Sequence, residues 1–154
     1  MQAASIAELK KALAKLEQGE LLEAILRLAR FKKDNKELLT YLLFLSENEG
    51  EFVNRLCEEI DNQFELTPNA HKKTVRKVVR WMNKCLRFSP VKETEIEVRI
   101  HFCRALKASD TKINRSKVMI NMYNGQLKKI DQALEKLHED IRSDYAFQIR
   151  DLEL

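Results

Sequence analysis

The segment TPNAHKKTVRKVVRWMNKCLRF, residues 67–88, decides the fold class. Read at about 100° per residue, its basic side chains occupy an arc of about 140°, and its apolar side chains fill the opposite side. This two-faced pattern predicts an amphipathic helix, and Thr67 as a cap with Pro68 at the first helical position is typical of a helix start. We therefore predict a helix over residues 68–88, with its apolar face in a core and its basic face in water.

The same helical signals recur on both sides of this segment. Capping pairs, in which a glutamate follows an acceptor residue by three positions, occur at Ser5 with Glu8, Asp34 with Glu37, and Ser46 with Glu49. The 154 residues include only three glycines and two prolines, so the turns that a sheet requires are scarce. We predict an all-α protein of about 7–8 helices, arranged as an antiparallel helical hairpin array or a compact bundle. A chain of this length suits one domain over residues 1–154.

The run LLTYLLFL at residues 38–45 is almost continuously apolar. Its length also suits a buried strand, but its leucines and its lack of β-branched residues other than one threonine favour a helix. We predict that it forms a short central helix buried on all sides. We also predict that Gly19 ends the first helix and that Asp110 caps the last helical region.

Residues 110–154 contain the longest amphipathic pattern of the chain. Within residues 123–145, apolar side chains alternate mostly three and four positions apart, which makes a narrow seam over about three heptads. An unbroken helix from Lys112 to Leu152 would be about 60 Å long, so we expect a break near His138 or Ser143. The seam predicts either packing on the body of the protein or a homodimeric coiled coil through residues 123–145.

Two resemblances accompany these patterns. Capped helices joined by very short connections resemble an armadillo- or HEAT-type helical superhelix, which implies an architecture but no function. More locally, LARFKKDNKELLTYLLF at residues 28–44, together with KLHED at residues 136–140, is similar to uncharacterised small all-helical proteins of Bacteroidetes-type bacteria. This second resemblance implies a bacterial all-helical protein and carries no activity.

Motifs for catalysis or cofactor binding are missing from the sequence. Gly19, Gly50 and Gly125 are isolated, whereas a loop that cradles phosphates needs several glycines close together. Glu135 and His138 have the E-x-x-H spacing of di-iron bundles, but a single copy is better explained as a solvated helix face. We therefore expect no enzymatic activity, no cofactor and no metal site.

The cysteines and the hydropathy of the chain bear on its location. Cys57, Cys85 and Cys103 are odd in number and widely spaced, which predicts reduced thiols in a core. The sequence has neither the order of a signal peptide nor the roughly 18 consecutive apolar residues of a membrane span. We expect a cytoplasmic protein that is not bound to a membrane.

The basic face of the predicted helix at residues 68–88 is the strongest functional candidate. It has seven members and no acidic residue among them: Lys72, Lys73, Arg76, Lys77, Arg80, Lys84 and Arg87. Because the whole chain carries a net charge of +4, the remainder carries −3. Such a face could bind an acidic protein surface or a phosphate backbone. Lipid binding is the least favoured of these interactions, because the apolar side of the same helix is needed in the core.

We therefore expect a non-catalytic helical scaffold that mediates protein–protein interaction. The predicted helix at residues 47–65 offers a second charged face, since it carries seven acids against Arg55 alone. The alternative is nucleic-acid binding through the basic face at residues 68–88, whose side chains would neutralise phosphates without reading bases.

Overall fold

A computed structural model describes residues 2–152 of the chain. Its helices are α1 (Ile6–Leu13), α2 (Gln18–Phe31), α3 (Lys33–Phe44), α4 (Glu49–Glu65), α5 (Lys72–Cys85), α6 (Lys92–Ala108), α7 (Lys117–Leu134) and α8 (Glu139–Arg150), with a short 3-10 helix at Ile113–Arg115. Between residues 2 and 152 there is no β-strand. The prediction of an all-α protein with 7–8 helices is confirmed.

Internal contacts divide the chain into two compact units, Met1–Leu43 and Phe44–Leu154. We call them the N-terminal and the C-terminal unit and describe each by itself. That residues 1–154 fold as a single domain stays a prediction.

The N-terminal unit begins with the predicted capping box. The Ser5 hydroxyl accepts the Glu8 N–H at 3.3 Å, and the Glu8 carboxylate accepts the Ser5 N–H at 2.8 Å, so this start of α1 is confirmed. The prediction that Gly19 ends the first helix is wrong, because Gly19 lies in the first turn of α2. The N–H of Glu17 donates to Glu20 Oε2 at 2.9 Å, and this second capping pair marks the boundary.

The apolar run at residues 38–45 is mostly helical, as predicted, but α3 is not buried. Tyr41 is its buried side chain, whereas Phe44 is 74% exposed and Leu42 and Leu43 are also more than half exposed. The prediction of a central helix buried on all sides is therefore wrong. An apolar run shows that burial would be favourable, but burial requires neighbouring elements that cover every side of the helix.

The core of the C-terminal unit is built around α6, which packs against both α4 and α7. Its buried side chains include Ile96, Val98, Arg99, Ile100, Phe102 and Cys103. The ring of Phe64 in α4 lies against that of Phe102, with 5.8 Å between the ring centroids. Helix α6 thus holds the central position that the sequence pattern suggests for residues 38–45.

The start of α4 is tied to the start of α6 by one carboxylate. Glu49 Oε2 accepts the hydroxyl of Ser89 at 2.9 Å and that of Thr94 at 2.5 Å. The predicted cap at Ser46 is wrong, because Asn48 Oδ1 caps α4 by accepting the backbone N–H three residues further on, at 3.1 Å.

Helix α5 begins at Lys72, later than predicted. The Thr67 hydroxyl donates to the carbonyl of Gln63 in the last turn of α4, so it caps the end of one helix and not the start of the next. Asn69 then turns the chain with φ of 59°, a conformation that asparagine tolerates better than most residues.

The last helical region is broken at His138, one of the two predicted positions. The imidazole of His138 caps α8, where Nδ1 accepts the N–H of Asp140 at 3.5 Å. Helix α7 starts at Lys117 after the 3-10 helix, so the cap predicted at Asp110 is wrong.

Much of the seam at residues 123–145 is covered within the C-terminal unit. Tyr123, Ile130 and Tyr145 are buried, and the Tyr123 hydroxyl donates to the Leu152 carbonyl at 2.6 Å. Tyr145 donates its hydroxyl to Glu97 Oε1 at 3.1 Å, which attaches α8 to α6.

Candidate functional site

The basic face predicted from the sequence keeps its side chains in water. Six of its seven members are exposed, namely Lys72, Lys73, Arg76, Lys77, Arg80 and Arg87, and Lys84 is half-buried. Val78, Met82 and Leu86 are buried in the C-terminal unit on the apolar side of the segment. Since α5 ends at Cys85, Arg87 extends the face from the turn that follows. What this face binds stays a prediction.

Near the C-terminal end of α5 the basic face meets a cleft of about 470 Å³, bordered by α5, α6 and α7. We call it the basic cleft. Its cationic side chains are Arg80, Lys84, Arg87, Arg99, Lys129 and Lys136, and Glu95 is the one carboxylate among its lining residues. The fold therefore brings three members of the predicted face together with three cations that sequence reasoning did not connect to them.

Arg99 is the buried cation of the basic cleft, with 4% of its surface exposed. Its Nε and Nη2 donate to Glu95 Oε1 at 3.1 and 2.9 Å, and its Nη1 donates to Asn83 Oδ1 at 2.9 Å and Gln126 Oε1 at 2.6 Å. These bonds use four of the five N–H donors of a guanidinium. The network holds a positive charge at a fixed position beside the cleft.

Lys129 adds a second recessed charge next to Arg99. Its Nζ donates to Asn83 Oδ1 at 3.4 Å, the oxygen that also accepts from Arg99. Burial lowers the pKa of the Lys129 ammonium and Arg99 lowers it further, while Glu95 acts in the opposite direction. Burial opposes ionisation of Glu95, but Arg99 and Lys92 outweigh it and hold the pKa of that carboxyl below its ordinary value.

The sequence contained one signal for this network. Arg99 stands within the otherwise largely apolar stretch at residues 96–103, and an arginine at a buried helix position needs partners for its charge. The identity of those partners has no local signal, because Gln126 and Lys129 lie about thirty residues further along the chain.

The N-terminal unit has a different kind of surface. Eleven of its large apolar side chains are more than a third exposed, against four in the described part of the C-terminal unit. The eleven are Ile6, Leu9, Leu13, Leu16, Leu22, Ile25, Leu28, Phe31, Leu38, Leu42 and Leu43. We call this set the apolar surface. In folded proteins, large contiguous apolar patches are often found where another molecule binds.

A groove of about 880 Å³ lies between α2 and α3 within the same unit. Leu26 and Ala29 contribute its apolar part, and Arg30, Lys33 and Lys36 give it a basic rim. The junction beside the groove is held by Asn35, whose Nδ2 donates to the carbonyl of Leu28 at 2.8 Å.

The candidate metal ligands of the sequence, Glu135 and His138, lie at the ends of two successive helices. Glu135 ends α7 and His138 caps α8, so the E-x-x-H pair lies on the break between two helices and does not share one helix face. Among residues 2–152, no group of three or more His, Cys, Asp or Glu side chains is placed to hold a metal ion. The cysteines are free thiols, and burial raises the pKa of Cys57 to about 11.

Comparisons with known proteins found no match that assigns a function to this chain. No protein-family model matches the chain, and neither a curated protein nor a solved structure shows significant similarity to it. Over residues 2–152, none of the helices combines the length and the apolar character needed to cross a bilayer. Inference about the function of this chain therefore rests on its residues and their geometry.

Proposed function

We propose that this protein is a non-catalytic helical scaffold that docks another protein through the apolar surface of its N-terminal unit. The observation that carries the proposal is the exposure of eleven large apolar side chains in that unit. Leaving such side chains in water forgoes about 1.5–3 kcal/mol for each one that could be fully buried. Association with a partner recovers part of this free energy, which supports a binding function.

The groove between α2 and α3 indicates the chemistry of the partner. Its lining combines the apolar Leu26 and Ala29 with three cations and one acid, which complements a segment that has one apolar face and acidic flanks. An amphipathic helix presents apolar anchors three and four residues apart and fits a groove between two helices. We infer that the occupant is an acidic amphipathic helix of another protein.

Two synthetic peptides test this proposal directly. One is an amphipathic helix of leucines and glutamates, and the other replaces every glutamate with lysine. Fluorescence anisotropy should show saturable binding of the acidic peptide to the full chain and much weaker binding of the basic one, because the rim of the groove is basic.

Variants then locate the binding surface. Leu22→Gln combined with Ile25→Gln should weaken the acidic peptide about tenfold or more, since these exposed apolar positions lie one helical turn before the groove residues Leu26 and Ala29, and glutamine keeps the helix propensity. Lys73→Gln with Lys77→Gln is the matched control, because those side chains are exposed on α5. Equal binding of both peptides, or equal loss in both double variants, would contradict the proposal.

A second candidate function is nucleic-acid binding through the basic face at residues 68–88. It is supported by the exposure of Lys72, Lys73, Arg76 and Lys77 along one side of α5. Single-stranded and duplex DNA should then bind at low salt, with an affinity that falls steeply as salt rises. The absence of binding at about 50 mM salt would remove this candidate.

Four expectations from the sequence remain part of the proposal. An armadillo- or HEAT-like array and kinship with Bacteroidetes-type proteins both fit an all-helical scaffold. A cytoplasmic location is supported by the three free thiols. A homodimer through residues 123–145 is tested by light scattering, and a monomer at high concentration would exclude it.

A further inference from the structure

The basic cleft concentrates charge in a way that folding alone does not favour. Apart from Lys84, five cationic side chains line it, and the single lining carboxylate, Glu95, is already bound by Arg99 at 2.9 Å and by Lys92 at 3.4 Å. Like charges that are partly removed from water repel each other and lose hydration. The cleft therefore holds positive charge for which the lining residues supply no further anion.

We propose that the basic cleft binds the phosphate group of a small phosphorylated molecule. Guanidinium groups pair with phosphate oxygens in two parallel hydrogen bonds, and ammonium groups add point charges. Arg80, Arg87, Lys129 and Lys136 line the cleft from α5, from the turn after it, and from α7 and its C-terminal turn. Arg99 fixes the orientation of Asn83, whose Oδ1 faces the cations and whose amide N–H groups remain as donors.

The shape of the cleft favours a small ligand over a polynucleotide. Its volume of about 470 Å³ lies in the range of small-molecule sites. Arg99 is buried and Lys129 is half-buried, so a duplex that rests on the exposed row at residues 72–77 does not reach them. A compact phosphate group can enter the cleft and contact cations from α5, from α7 and from the turns that follow these two helices.

Inorganic pyrophosphate is a suitable probe because it is small and carries several negative charges. Isothermal titration calorimetry of the full chain at about 50 mM salt should give saturable binding at one site per chain. Lys129→Gln should weaken pyrophosphate about tenfold or more, since it removes a recessed charge that contacts the ligand. Arg99 is left unchanged, because truncating a buried arginine that makes four hydrogen bonds endangers the fold.

The control variant separates the cleft from the general charge of α5. Lys73→Gln with Lys77→Gln removes two charges of the same basic face that do not line the cleft. This variant should weaken pyrophosphate much less than Lys129→Gln does, because the two exposed lysines do not line the cleft and water and salt partly screen their charges. Circular dichroism of both variants checks that the helices are intact.

A single-stranded DNA of about 20 nucleotides distinguishes the two sources of phosphate. If the cleft serves a free phosphorylated molecule, Lys129→Gln weakens pyrophosphate and leaves DNA affinity nearly unchanged. The proposal is overturned if pyrophosphate fails to bind at about 5 mM, or if Lys73→Gln with Lys77→Gln weakens it as much as Lys129→Gln does. It is also overturned if DNA affinity falls with Lys129→Gln in parallel with pyrophosphate affinity, because the cleft would then be part of a nucleic-acid surface.

Discussion

A matched pair of substitutions tests the contrast between the core of α6 and the apolar surface of the N-terminal unit. Leu106 in α6 is 0% exposed, and Leu28 in α2 is 60% exposed. Replacing either leucine with alanine removes the same three carbon atoms from a helix. The two variants therefore differ mainly in how deeply the removed atoms are buried. The free energy of unfolding should therefore fall much more for Leu106→Ala than for Leu28→Ala.

The exposed fractions set the expected magnitudes. Leu106→Ala removes three buried carbons at about 0.8 kcal/mol each and leaves a cavity, so the cost should be about 3 kcal/mol or more. Leu28 buries only the remaining 40% of its surface, so its loss should be about 1 kcal/mol at most. The difference between the variants is then roughly 2 kcal/mol.

Urea denaturation followed by the fluorescence of Trp81 gives the measurement. Trp81 is the one tryptophan of the chain and lies half-buried in α5. With a slope of about 1–3 kcal/mol per molar urea, Leu106→Ala should lower the midpoint by roughly 1–3 M. Leu28→Ala should lower it by no more than a third of that amount, and circular dichroism monitors all helices in the same samples.

Equal shifts for the two variants would refute the reasoning. A large effect of Leu28→Ala would mean that this side chain is covered in solution, and the apolar surface would then be unavailable to a partner. A loss below about 1 kcal/mol for Leu106→Ala would instead show that α6 is not the packed centre of its unit.

Three further predictions follow from individual groups. Cys57, with a pKa of about 11 from burial and nearby carboxylates, should react with DTNB at pH 8 about a hundredfold more slowly than a thiol of pKa 9.0, and the rate should rise with pH. Lys129→Gln should raise the urea midpoint at pH 7. Burial and Arg99 lower the pKa of Lys129, so its charged form is disfavoured in the folded state. The gain in the midpoint should vanish as pH approaches about 10.4, where the unfolded chain also loses this proton. Tyr123→Phe should cost about 1–3 kcal/mol in urea denaturation, since it leaves the buried carbonyl of Leu152 without its 2.6 Å hydrogen bond.

Local features of the chain could be predicted from the sequence. Ser5 with Glu8 caps α1 as its spacing indicates. On α5, Val78 and Met82 turn inward while Lys73 and Lys77 face water. Both properties depend on residues three and four positions apart, and helical periodicity places such residues on one face whatever the rest of the fold does. The all-α class follows from the same local rules.

Contacts between distant residues were decided by the tertiary structure alone. The run at residues 38–45 is more apolar than α6, yet α6 is buried because α4 and α7 cover it, and no local pattern encodes that coverage. The basic cleft arose in the same way, since Arg99 and Lys129 meet at Asn83 only when three helices pack together. Helix periodicity specifies which side chains share a face, whereas packing between helices specifies which faces meet and therefore where a binding site can form.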